Sequence, residues 1–156
     1  MVSLKPGDLA PDFELPTDAG TPLRLSSLRG HPVTLYFYPR DDTPGCTREA
    51  CSLRDGFGAF ARAGVTVLGV SPDDTDSHTR FSRKYALPFP LLADEGHRVA
   101  ELYGVWGEKP FMGRKHMGVL RTTFVIDAAG RIARVFENVK PDGHASEILA
   151  ALGIAA

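Results

Sequence analysis

Three stretches of this chain are apolar or β-branched without a break: Val33-Thr-Leu-Tyr-Phe-Tyr38, Val65-Thr-Val-Leu-Gly-Val70 and Thr122-Thr-Phe-Val-Ile126. A strand with one face in water alternates apolar and polar residues. A strand that does not alternate has to be covered on both faces. Helical periods fill the intervals. Ala50, Leu53, Phe57 and Phe60 recur at three- and four-residue steps over about 45–62, and weaker patterns cover 75–86, 96–103 and 143–152. Thr75 or Asp76 suits the cap of the second helix, and Asp142 that of the last. Buried strands alternating with helices specify βαβ crossovers. Two short apolar alternations around Asp18-Ala-Gly20 read as a hairpin at the front. At the back, the turn residues Asp127-Ala-Ala-Gly130 lead into an antiparallel strand from Arg131 to Phe136. The expected architecture is an α/β, three-layer α/β/α sandwich with a mixed central sheet and an N-terminal β-hairpin. No repeat or long linker interrupts it, and 156 residues match the roughly 150 of an average domain. A single domain over 1–156 is expected.

Composition serves mainly to exclude. A net charge of −1 leaves no electrostatic footprint for nucleic acid or an anionic membrane. No apolar run approaches the roughly 18 residues that cross a bilayer. The opening Met-Val-Ser-Leu-Lys-Pro-Gly-Asp has no long apolar stretch after its Lys, so it does not read as a secretory signal and a cytoplasmic location is expected. Two cysteines are too few for a disulfide scaffold or a four-cysteine zinc cluster. His31, His78, His97, His116 and His144 stand at no recognisable ligand spacing, so surface or capping roles are expected rather than a metal site. Trp106, Phe111, Met112 and Met117 fall in a Gly-rich stretch, where loop packing is expected rather than a pocket wall.

The chemistry concentrates in Tyr38-Pro-Arg-Asp-Asp-Thr-Pro-Gly-Cys-Thr-Arg-Glu-Ala-Cys51. The segment starts at the carboxyl end of a buried strand, where open α/β sheets carry ligand sites. Thr43-Pro44-Gly45 then begins a helix, since proline is tolerated in a first turn. Cys46 therefore falls where unpaired backbone N–H groups and the positive dipole end favour a thiolate. Ionisation alone gains at most about 30-fold over an ordinary thiol, so a catalyst also needs donors aimed at the charge that develops. Thr43, three residues before Cys46, can bring its hydroxyl near the sulfur if the turn is helical. Which distant cation faces the site is not legible here. On one ideal helix, Cys46 and Cys51 would be about 500° of rotation, about 7.5 Å of rise and about 8.7 Å between Cα atoms apart. The limit for a disulfide is roughly 7 Å, so a bond between them requires local unwinding. Gly45, Gly56 and Gly58 would ease it.

These residues leave several readings open: a redox pair, two idle buried cysteines, a thioredoxin-like disulfide exchanger or reductase, and a non-catalytic copper-handling module. The exchanger would be expected to show Cys-x2-Cys, and Thr43 would then lack a purpose. The copper module would be expected to show Cys-x3-Cys with a dedicated His. The actual spacing is Cys-x4-Cys.

Pro39-x-x-x-Thr43-x-x-Cys46-x-x-Glu49 resembles the active-site signature of the peroxiredoxins, and the added Cys51 resembles their bacterioferritin-comigratory, or Q-type, subfamily. The likeness covers nearly the whole chain. Ser77 to Asp94, Tyr103-Gly-Val-Trp-Gly-Glu-Lys, Gly113-Arg and Arg121 to Asp127 are all similar to that subfamily. The resemblance implies a thioredoxin-like fold and a thioredoxin-dependent peroxidase. Cys46 would be the peroxidatic nucleophile and become a sulfenic acid. Thr43 would hydrogen-bond the peroxide, Arg121 would activate the thiol and stabilise the developing oxyanion, Pro39 would shield the site from water, and Glu49 would orient the arginine. Cys51 would resolve the sulfenic acid as an intramolecular disulfide, reduced by thioredoxin or a similar dithiol protein. No metal, haem or flavin is implied. Some family members carry a resolving cysteine in a C-terminal tail, whereas the last residues here are Ala-Leu-Gly-Ile-Ala-Ala. A dimer-spanning disulfide is therefore not expected, and a monomer is.

Overall fold

A computed structural model describes residues 4–111 and 113–154. Its centre is a five-stranded mixed sheet in the order β5 (Leu91–Ala93), β4 (Thr66–Ser71), β3 (Val33–Phe37), β8 (Thr122–Ile126), β9 (Ile132–Phe136). β3 runs parallel to β4, and β4 to β5; β8 is antiparallel to both β3 and β9. The three unbroken apolar runs thus take the three central positions, where both faces are covered. Side chains of β3 alternate between the two cores. Val33, Leu35 and Phe37 point into one, with Leu68, Val70, Phe124 and Ile126. Tyr36 and Tyr38 point into the other, with Val67, Leu91 and Val125.

Helices cover the two faces unequally. On the second core lie α1 (Pro44–Asp55), α2 (Phe57–Arg62), α3 (Thr75–Tyr85) and α5 (His144–Leu152), through Ala50 and Leu53, Phe60, Phe81 and Ile148 respectively. The first core is closed by α4 (Arg98–Leu102) and by the N-terminal hairpin β1 (Glu14–Pro16) and β2 (Pro22–Arg24). The single helical stripe expected over 45–62 is two helices, parted at Gly56. There α5 comes so close that a Cβ would stand 3.1 Å from that of Ala145.

Two caps differ from expectation. Asp74, one residue earlier than expected, caps α3 by accepting from the Ser77 N–H at 2.8 Å. Asp142 does not cap α5, whose N-cap is Gly143 at φ 72; it pairs instead with Arg48 of α1 at 3.0 Å. The stretch expected to be a loop is a hairpin, β6 (Trp106–Phe111) and β7 (Arg114–Val119), in register from Trp106↔Val119 to Phe111↔Arg114. Its glycines, a proline and a mostly exposed β7 hide the alternation that announces a strand. Met117 is exposed and Trp106 lies flat on His97 at 3.7 Å; Met112 and the Phe111 side chain lie outside the described residues. Among the described residues no helix is long and apolar enough to cross a membrane.

Candidate active site

Cys46 occupies the first turn of α1, as its Thr-Pro-Gly prelude dictates. The buried residues of α1 are Cys46, Glu49, Ala50 and Leu53, at steps of three and four, so one face carries the thiol, a carboxyl and the apolar anchors together. Arg121 arrives from the short link between β7 and β8, its carbonyl accepting from the Val139 N–H at 3.2 Å. One guanidinium nitrogen, Nη2, donates to Cys46 Sγ at 3.3 Å, and Nη1 donates to Glu49 Oε1 at 2.6 Å. The Arg121 side chain is 17% exposed, so the charge beside the thiol is poorly screened. Gly45 permits this approach. A Cβ there would stand 3.2 Å from Arg121 Nη2 and 3.5 Å from the Pro141 ring.

Glu49 is fully buried, and its second oxygen, Oε2, has no hydrogen-bond partner among the described residues. Burial pushes its carboxyl up to about 7, with the charge and hydrogen bond of Arg121 opposing. Its neighbour across this gap is His144 Nε2, 4.0 Å from Oε2, a distance too long for a hydrogen bond. His144 bonds instead to Thr123 Oγ1 at 2.7 Å and Glu147 Oε1 at 2.9 Å, and burial lowers its pKa, against the pull of Glu147. Lys109 of β6 adds a second cation nearby. Its Nζ donates to the Val119 carbonyl at 2.9 Å, and its pKa is lowered by burial and by the charge of Arg121, with Cys46 acting in the opposite sense.

The other sequence candidates are placed as follows. The Thr43 hydroxyl donates to the Arg40 carbonyl at 2.9 Å, turning the loop before α1, rather than bonding to its own helix. Pro39 is half-buried directly after Tyr38 at the carboxyl end of β3. Cys51 is half-buried on the same unbroken helix as Cys46 and lines a groove between α1 and α5, of about 550 Å³, with Ser52, Ala145 and Leu149. Both cysteines are free thiols, and helix geometry keeps their Cα atoms about 8.7 Å apart.

Of the five histidines, for which surface or capping roles are expected, His78 and His144 are buried. Neither shows any local ligand pattern, because each is enclosed by elements distant in sequence. His78, Asp41 and Asp73 are grouped closely enough to hold a cation by donor type. Their atoms are already engaged with Tyr38, Ser77, Ser71, one another and the main chain. Lys109 and His144 are the site neighbours that sequence reasoning missed. The Trp-Gly-Glu-Lys run was visible as part of a similar segment, but nothing local tells which way that lysine turns.

A buried thiol at a helix start, held by an arginine that a carboxylate fixes, beneath the carboxyl end of a mixed sheet, defines a thioredoxin-fold thiol peroxidase. The chain belongs to the AhpC/TSA family, which it matches over residues 6–135. Within that family its likeness is to peroxiredoxins of the Bcp, or Q, type, and it extends along the full chain. Peroxiredoxin Bcp of Escherichia coli is 47% identical over 149 residues, 96% of each chain. The solved bacterioferritin comigratory protein of Xanthomonas campestris, described for its alkyl peroxide reduction activity, superposes with a TM-score of 0.88 at 35% identity, covering 98% of both chains. A cysteine-to-serine mutant of Xylella fastidiosa PrxQ superposes at 0.92 with 32% identity, again covering 98% of both.

Proposed function

We propose that the chain reduces hydroperoxides, hydrogen peroxide and alkyl hydroperoxides among them, through Cys46, and is recycled by a thioredoxin-type dithiol protein. The observation that carries the assignment is the Arg121 guanidinium, 3.3 Å from Cys46 Sγ and braced by Glu49 at 2.6 Å. The Cys46 thiolate attacks the terminal peroxide oxygen. An S–O bond forms, the O–O bond breaks, and the leaving alkoxide or hydroxide takes a proton. Sulfur is oxidised by two electrons to the sulfenic acid. Arg121 faces the charge that spreads from sulfur onto oxygen, with donors fixed before the reaction starts. The Thr43 hydroxyl gives its hydrogen to Arg40, which leaves its oxygen free to accept one from the peroxide. Pro39 closes the site against water. The Cys51 thiolate then attacks the Cys46 sulfur; the S–S bond forms, the S–O bond breaks, and the hydroxide takes a proton and leaves as water. α1 has to unwind for that step, breaking the Arg121–Glu49 and Arg48–Asp142 pairs. A location in the cytoplasm and a monomeric state fit the same proposal.

The test couples NADPH oxidation to thioredoxin reductase, thioredoxin and hydroperoxide. Cys46→Ser is expected to lose all peroxide consumption. Cys51→Ser is expected to complete one reduction and then turn over poorly with thioredoxin. Full activity in Cys46→Ser overturns the assignment.

A further inference from the structure

A buried histidine–aspartate pair lies behind the loop that leads into α1, and nothing in the peroxidase chemistry uses it. His78 of α3 and Asp41 of the β3–α1 loop have side chains 0% and 3% exposed and meet at 2.7 Å, His78 Nδ1 to Asp41 Oδ2. The other ring nitrogen, Nε2, lies 2.9 Å from the Leu92 carbonyl of β5. A carbonyl oxygen can only accept, and a carboxylate can only accept, so both ring nitrogens must donate. That requires the doubly protonated, charged ring.

The carboxylate is equally committed. Asp41 Oδ1 accepts from the Tyr38 hydroxyl at 2.6 Å, and Oδ2 also accepts from the Ser77 hydroxyl at 2.8 Å. The Asp41 N–H donates to Asp73 Oδ2 at 2.8 Å. The next residue is held too. Asp42, at φ 56, accepts from Lys84 at 2.8 Å and from Tyr85 at 2.9 Å. Helix α3 thus grips residues 41 and 42, immediately before Thr43 and the first turn of α1. The Asp42 contacts are exposed and individually weak. The Asp41 contacts are buried, where leaving a polar group unpaired is costly.

We propose, on the basis of the peroxidase function above, that His78 is a positioning residue whose buried positive charge holds the Pro39–Thr43 loop, and with it the start of α1, in the peroxide-reducing arrangement. The groups facing the ring are Asp41 from the loop, Asp73 from the β4–α3 turn, the Tyr38 hydroxyl at 3.5 Å from β3, and the Leu92 carbonyl from β5. Burial works against the charge, but the hydrogen bond and charge of Asp41, with Asp73 behind it, win and raise the ring's pKa above its ordinary 6.5. A raised folded value means that the anchoring is complete below about 6.5 and is lost as pH rises through the folded pKa. On deprotonation one nitrogen loses its hydrogen and faces an acceptor, leaving a buried mismatch that the loop relieves by moving.

The first measurement is nitrogen NMR of the histidine rings in the reduced wild-type protein across pH. It should show both His78 nitrogens mostly protonated at pH about 6.5, with a titration displaced upward. A neutral His78 ring at that pH overturns the proposal. The second is the pH profile of the rate constant of Cys46 with hydroperoxide, in wild type, His78→Gln and Asp41→Asn, alongside amide exchange of residues 41–47. The wild type should lose rate several-fold, and protection in that segment, at the pH where the His78 ring titrates. His78→Gln should be about tenfold slower at neutral pH and lack that limb. A His78→Gln protein that only melts earlier, with the limb intact, also overturns the proposal. If the substitution prevents folding, the wild-type ring titration and loop protection decide, since they must share one midpoint. Wild-type protein without peroxidase activity would count against the peroxidase function alone, because ring charge and loop protection are read without turnover.

Discussion

At position 45 one methyl group decides how close a guanidinium can come to a sulfur. Gly45→Ala would put a Cβ 3.2 Å from Arg121 Nη2, tighter than ordinary packing, so the guanidinium has to retreat from Cys46. The expected result is about a tenfold slower reaction with hydroperoxide, or about 1.4 kcal/mol of lost transition-state stabilisation, read by stopped-flow fluorescence. Arg121→Met removes the donors altogether and should cost about 10² to 10³ in the same rate constant. How legible these residues are follows their distance in sequence. Cys46 and Glu49 stand three apart on α1, and a helix puts such residues on neighbouring turns of one face, with Thr43 just before its start. Arg121 lies 75 residues from Cys46, and only the resemblance to a known family singled it out. Lys109 and His144 went unread because their roles exist only after β6 and α5 have packed against the site.

In the proposed cycle helix α1 has two incompatible duties: intact, it brings Cys46 to Arg121, and unwound, it brings Cys46 to Cys51. Oxidation to the disulfide is expected to accelerate amide exchange over residues 44–54, measured by mass spectrometry. Unchanged protection there would sink the unwinding step. Glu49 makes the intact form sensitive to pH. Its folded value of about 7 is above the ordinary 4.5, so the intact helix holds a proton that the opened segment releases. Stability from this group is therefore present at low pH and lost as pH rises through about 7. Urea unfolding of the reduced protein should show the difference between wild type and Glu49→Gln shifting against wild type by about 1–3 kcal/mol across that window. A constant difference would contradict it. At this scale the periodicity revealed α1, α3 and α5 to within a few residues. It could not reveal the break at Gly56, which depends on how closely α5 lies, or the β6–β7 hairpin, whose residues are mostly polar, glycine or proline.

Seen whole, the molecule is two cores separated by one sheet, and the three apolar runs mark that sheet in the sequence because each strand serves both cores. Phe124 is fully buried in the first core, against Phe37 and Tyr103. Phe124→Ala should lower stability by about 3–5 kcal/mol in urea unfolding of the reduced protein, with Arg121 and the site on the far side of the sheet still reactive toward peroxide in the folded fraction. A loss below about 1 kcal/mol would show that this core is not packed as described. A net charge of −1 supplies no field to attract an anion, so the site's positive potential comes from local groups: Arg121, Lys109 and the N-terminal end of α1.

That Cys46 and Cys51 share one helix has, for the proposed cycle, a consequence for reaction order. Five residues of chain hold the second thiol at an effective concentration of about millimolar or higher from the sulfenic acid, however dilute the protein. Disulfide closure is then first order, with a half-time that does not change on dilution. A cell could make this protein scarce or abundant and each molecule would complete its oxidative half-cycle at the same pace, leaving only the return to the thiol state to depend on the supply of reductant.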